Sequence, residues 1–147
     1  MSATADHADT QGLVERLGFA AGQVVQEIGY DDDVDMELRE SIEKVIGEDG
    51  ELVDEDYDDV ADAVVLWFRE DDGDLTDALV DAIAYIEEGG PIVLLTPKTG
   101  RDGYVEPSEV SDAANTAGLT ASKSVSVGKD WSGSRLATPK AAAAKKR

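Results

Sequence analysis

Residues 26–35 read QEIGYDDDVD, an acid and a glycine at the end of an apolar run, followed by four aspartates. Two kinds of chemistry suit such a stretch. A glycine at a strand end lets the backbone approach a bound nucleotide closely, and alternating carboxylates supply oxygen ligands for a hard cation. Asp31, Asp33 and Asp35 fit the first three oxygen positions of a calcium loop, yet Met36 stands where the sharp-turn glycine is needed and Ile42 where the bidentate glutamate belongs. The runs DEDYDD (54–59) and REDDGD (69–74) are as dense in carboxylates without a ligand order. Solvated or helix-capping roles are expected for them, and no metal site is predicted.

The inventory excludes other chemistries. The chain has no cysteine and a single histidine, His7, in a polar leader. Thiolate nucleophiles, disulfides, a Ser/His/Asp hydrolase and a multi-histidine zinc site are therefore not expected. The 147 residues, 41% hydrophobic, suit one domain that buries about two thirds of its unfolded surface. We expect a leader over 1–9, a domain over 10–138 and a disordered basic tail over 139–147. No apolar run is long enough to span a bilayer and the first residues lack a secretory pattern, so a cytoplasmic location is expected, with no membrane partner.

The formal charge of −20 is uneven: residues 1–90 hold 28 acids against 4 Lys or Arg, and residues 91–147 hold 5 against 9. An acidic front repels phosphate backbones, so nucleic acid is an unlikely partner. A solvated surface that keeps the protein soluble is the plain reading, and a face for a basic partner the sharper one.

The elements that must position these residues follow from periodicity. QGLVERLGF (11–19) reads as a short helix and GQVVQEIG (22–29) as a first strand. Leu38, Ile42, Val45 and Ile46 recur at helical spacing, with Asp33 or Asp35 able to cap the start and Gly47 the stop. ELVD (51–54) is a weak strand, and the eight residues after it are short for a helical crossover. AVVLWF (63–68) is a strand covered on both faces. A helix starting at Asp74 carries a stripe from Leu75 to Ile86 and ends at Gly89 and Gly90, before the strand PIVLLT (91–96). A last helix runs from Pro107 to Gly118, and ASKSVSVG (121–128) with SGSRLAT (132–138) suits an antiparallel hairpin turning around Lys129, Asp130 and Trp131.

In an open parallel sheet the loops after strand C-termini share one edge, where ligands bind. Four loops should meet there: 30–33, 69–74, 98–104 and 129–131. Acidic loops then face basic ones, and mutual neutralisation by exposed ion pairs is the bland outcome. The sharper expectation is a contact surface made by Lys98, Arg101, Lys129, Trp131 and Arg135, in which Trp131 either packs inward over the sheet end or stands exposed as an anchor.

ADAVVLWF, then DLTDALVDAIAYIEEGGPIVLLTPK, a helix and GKDWSGSRLA resemble the later half of a class I methyltransferase-like domain, over roughly residues 60–138. TPK after a strand and KDWSGSRL are similar to a family of short actinobacterial proteins known as a domain of unknown function, over most of the chain. The resemblance implies a doubly wound, Rossmann-like α/β fold with a mostly parallel sheet and a C-terminal antiparallel hairpin. The methyltransferase nucleotide loop has the form acid-x-Gly-x-Gly-x-Gly. Glu27, Ile28 and Gly29 match its first three positions, but Asp31 and Asp33 replace the next two glycines, filling space and adding charge where a cofactor carboxylate would lie. A strand-helix unit is also missing between ELVD and AVVLWF. The expected reading is a cytosolic, non-catalytic interaction or regulatory module with a protein partner and no cofactor. The alternatives are a reduced SAM-dependent methyltransferase or other nucleotide-binding enzyme, favoured if 29–33 folds as a narrow open cleft, and an acidic mimic of nucleic acid.

Overall fold

The structure, a computed structural model, describes residues 12–86, 90–122, 124–128 and 130–137; His7, Lys129 and the basic tail lie outside the described residues. Residues 12–16 are helical and lead through a turn into β1 (Val24–Ile28). Helix α1 (Met36–Ile46) follows, its start capped by the Asp35 carboxylate, which accepts from the Leu38 N–H at 2.9 Å. Strand β2 (Glu51–Val53) lies parallel to β1 on one side, and β3 (Ala63–Trp67), all five residues buried, lies parallel to it on the other.

The connection from β2 to β3 contains no helix. It crosses the face of β1 directly over the buried Gln26, whose Nε2 donates to the carbonyls of Asp54 (3.1 Å) and Tyr57 (3.2 Å). The Asp62 carboxylate then accepts from the Val24 N–H at 2.8 Å. A buried amide and a strand-end carboxylate thus take the place of the crossover helix that eight residues cannot form.

Beyond β3, Asp74 caps α2 (Leu75–Ile83), which leads to β4 (Ile92–Pro97), parallel to β3. Helix α3 (Pro107–Ala117) then returns the chain to the short strands β5 (Thr120–Ala121) and β6 (Val125–Val127), both antiparallel to β7 (Trp131–Ala137). The sheet order is β2-β1-β3-β4-β7-β5, with β6 also on β7, and β7 antiparallel to β4. Period-two alternation along β3 and β4 divides the core. Ala63, Val65, Trp67, Val93 and Leu95 face the leading helix and α1, while Val64, Leu66, Ile92 and Leu94 face α2 and α3. The sheet is therefore doubly wound and mixed, as the resemblance implies.

Three expectations need correction. The helix after Asp74 stops at Ile83 rather than at the glycines. Its last turn tightens, with Tyr85 and Ile86 donating to Ala82 and Ile83, and Ile86 bridges Ala61 in parallel. The segment 121–128 is not one strand: Ser122 interrupts the ladder, its Oγ accepting from the Arg135 N–H at 3.0 Å. Trp131 is the first residue of β7, paired with Pro97, and not part of the hairpin tip.

Candidate functional site

The loops after β1, β3 and β4 and the one before β7 meet at the C-terminal edge of the parallel strands, as topology requires. Glu70 N–H reaches Gly103 O at 2.9 Å, and Lys98 N–H reaches Asp130 O at 2.8 Å. At this edge Glu27 is 4% exposed. A buried carboxylate needs charge and donors to offset its desolvation. Arg39 of α1 supplies both, with Nε and Nη2 donating to the two Glu27 oxygens at 2.7 and 2.9 Å, and Trp67 Nε1 donates to the same carboxylate at 2.9 Å. The Arg39 guanidinium, its charge reinforced by the Glu27 carboxylate, also lies over the Tyr30 ring, 4.7 Å from its centroid.

Gly29 turns the chain at φ 85°, and a Cβ there would collide with the Trp67 carbonyl oxygen. Glycine is thus required by the approach of β3's own backbone. Both polar groups of this peptide are engaged within the protein. The Gly29 N–H donates to the Glu55 carboxylate at 2.7 Å, and its carbonyl accepts from Arg69 Nη1 at 2.8 Å.

Arg69, on the loop after β3, spans the cleft between the β1 and β3 loops. Its Nη1 also reaches the Trp67 carbonyl (3.2 Å) and Asp72 (3.3 Å), while Nε and Nη2 form a fork on Asp33, the former at 3.1 Å. The bidentate geometry matches a planar guanidinium to a carboxylate. Hydrogen bonds from Arg69 hold the Asp33 carboxyl below its usual range, against partial burial that pushes the other way. The Arg69 guanidinium lies 5.3 Å from the centroid of the Trp131 ring, Trp131 Nε1 donates to the Asp33 carbonyl at 3.0 Å, and the Trp131 and Trp67 rings meet edge to face at 4.9 Å. Gly128, before the last strand, packs so closely on the Asp35 carboxylate that no side chain fits between them, covering the start of α1.

Of the residues singled out from the sequence, Glu27, Gly29 and Asp33 come together here, while Asp31 is exposed at the loop surface. Lys98 and Arg101 lie on the same edge, Arg101 paired with Asp130 at 3.2 Å and Lys98 Nζ donating to the Gly128 carbonyl at 3.0 Å. Trp131 is 2% exposed and faces inward, so it is core and not an exposed anchor. Arg135 is separate from the other cations: it pairs with Val93 near the opposite end of β4 and lies beside Gly18. Lys129 is outside the described residues. Sequence reasoning missed Arg39, Arg69 and Glu55. The first two are half of the 4 Lys and Arg in residues 1–90, and that scarcity was a usable signal.

Residues 14–140 match the family described as protein of unknown function (DUF3052). The chain belongs to this family. Uncharacterised proteins of Mycobacterium tuberculosis and Mycobacterium bovis are each 49% identical to it over 142 residues, covering 97% of this chain and 87% of theirs. Among solved structures it is similar to a SAM-dependent methyltransferase from Aquifex aeolicus (TM-score 0.64, 15% identity, 88% of this chain and 89% of that one). It is also similar to an O-methyltransferase of neocarzinostatin biosynthesis bound to S-adenosyl-L-homocysteine (TM-score 0.62, 14% identity, 93% and 58%). At that identity the likeness is one of fold. At the strand edge of this DUF3052 chain the Gly29 amide and carbonyl are both engaged within the protein and Arg69 bridges the loops after β1 and β3, while Glu27, Tyr30 and Asp54 line an open space of about 400 Å3 beside them.

Proposed function

We propose that this protein is a non-catalytic interaction or regulatory module that keeps the methyltransferase-like frame and has given its cofactor cleft to structure. The observation that supports this is the Arg69 guanidinium, fixed at once on Gly29, Trp67, Asp33 and Asp72. A ligand would have to displace a charged group with four acceptors, each charge-assisted bond being worth about 1.5–3 kcal/mol. What counts against the enzyme alternative is that Arg69 lies across the 29–33 loop, where that reading needs an open cleft. The reduced methyltransferase remains the second reading because the structural likeness covers 88% of the chain.

The proposed partner is a protein, met at the strand C-terminal edge through Lys98 and Arg101. The Arg101–Asp130 pair is 55% and 44% exposed, so an acidic partner can compete for it at little cost. Calorimetry with SAM and S-adenosyl-L-homocysteine tests the central claim. No saturable heat is expected with either; a ligand at a hundred times its Kd would add about 2.7 kcal/mol of stability, and such a shift would favour the enzyme reading. For the surface, Lys98→Glu with Arg101→Glu should abolish capture of the copurifying cytosolic partner while leaving the melting temperature unchanged.

A further inference from the structure

On the sheet face opposite Trp67 and Trp131, beside α3, lies a cavity of about 570 Å3. It exists because β7 is small-chained where it passes β4: Ser134 pairs with Leu94 and Ser132 with Thr96, so no apolar bulk fills the space between the sheet and α3. Its volume falls within the range of small-molecule sites, about 300–1,000 Å3.

Three features separate it from an ordinary solvated groove. Thr96 and Ser134, 6% and 7% exposed, are both among its lining residues and offer hydroxyls that can donate or accept. In a chain of net charge −20, no carboxylate lines this cavity, whereas Asp or Glu lines each of three others, at 33, 102 and 130, at 74, 109 and 112, and at 27 and 54–56. The charge lining it is Lys98, which spends one donor on the Gly128 carbonyl and keeps two more. The first turn of α3 reaches the rim through Pro107, its dipole met there by Glu106 at the N-cap and by Glu109. Tyr104 and Val110 give an apolar wall.

We infer that this cavity binds a small organic molecule carrying one oxyanion and an apolar body. Lys98 and the Thr96 and Ser134 hydroxyls take the oxyanion, and the Tyr104 and Val110 wall takes the body. The site goes beyond the interaction reading and lies on the other face of the sheet from the Asp33–Arg69 cluster; Lys98 belongs to both, so substitutions at Thr96 and Ser134, which the partner surface does not use, tell their failures apart.

The test is an amide NMR titration of the full chain with benzoate, phenyl phosphate and benzyl alcohol. Saturable shifts at Thr96, Ser111 and Ser134 are expected with benzoate or phenyl phosphate and not with benzyl alcohol; the stronger of the two anions identifies carboxylate or phosphate as the head group. Lys98→Ala should weaken binding about tenfold, the loss of one charge-assisted contact. Thr96→Val with Ser134→Ala should abolish it, and Thr96→Ser, which keeps the hydroxyl, should retain it even if the double variant folds poorly. Absence of saturable shifts with both anions, equal affinity for benzyl alcohol, or an unchanged affinity in Lys98→Ala would overturn the inference.

Discussion

Replacing Trp131 by alanine removes a side chain that is 2% exposed, meets Trp67 edge to face at 4.9 Å, and carries Arg69 over its ring. Truncating a buried tryptophan costs about 3–5 kcal/mol, of which the aromatic pair is about 0.5–1.5. The lost bond to the Asp33 carbonyl adds little, because that residue lies at the surface and water can take the donor's place. The sum is nearer 4 than 5 kcal/mol. For a domain of this size each kcal/mol moves the melting temperature by about 3 °C, so Trp131→Ala should melt about 12 °C below the wild type. Trp131→Phe keeps most of the packing and loses the N–H; it should fall by only about 3–6 °C. Circular dichroism melts of the three proteins read the difference directly. An alanine variant within about 3 °C of the wild type would refute the packing reasoning and return Trp131 to the surface.

Gly29→Ala forces a Cβ against the Trp67 carbonyl at a positive φ and should cost more than about 2 kcal/mol in urea denaturation, whereas Gly118→Ala, with open space around it and a left-handed backbone, should cost only the backbone strain of about 1 kcal/mol. Glu27→Ala leaves the Arg39 guanidinium and the Trp67 N–H without their acceptor and should destabilise by about 3–5 kcal/mol, with the Glu27→Ala/Arg39→Ala double variant losing less than the sum of the singles. The pH dependence has a definite sign. Because Arg69 holds the folded-state Asp33 carboxyl below its ordinary value of 3.8, the pair's contribution is present above that value and is lost as pH falls through the lower, folded one. The difference in melting temperature between the wild type and Asp33→Asn should therefore be full at neutral pH and shrink below about pH 4, which a pH series of thermal melts would check.

Strands and caps were legible wherever the pattern had a single physical cause. The apolar run 63–68 had to be covered on both faces, and β3 is. Asp35 and Gly47 frame α1, and Pro107 and Gly118 frame α3, because capping is decided by the nearest few residues. The end of α2 was not legible: Ile86 continues the helical stripe by spacing, yet its place is fixed by Ala61, which the helix pattern does not contain. Trp131 failed for the same kind of reason. A residue at a presumed turn is tip or strand according to its register against a distant strand, and here Pro97 draws it in.

The site shows the limit more sharply. The resemblance to a methyltransferase nucleotide loop marked Asp31 and Asp33 as standing at glycine positions, where they fill space and add charge. What local chemistry could not supply was the counter-charge. Asp33 is bound by an arginine 36 residues on and its carbonyl by a tryptophan 98 residues on, so the loop becomes intelligible only when β3 and β7 are in place. With 28 acids and 4 cations in the first 90 residues, the two arginines at this edge are a scarce resource, and both point at β1. Random solvation of an acidic surface would scatter them among its carboxylates. Their convergence on Glu27, Gly29 and Asp33 means that the aspartate at the glycine position and Arg69 act as one structural unit, tying the loop after β1 to the loop after β3.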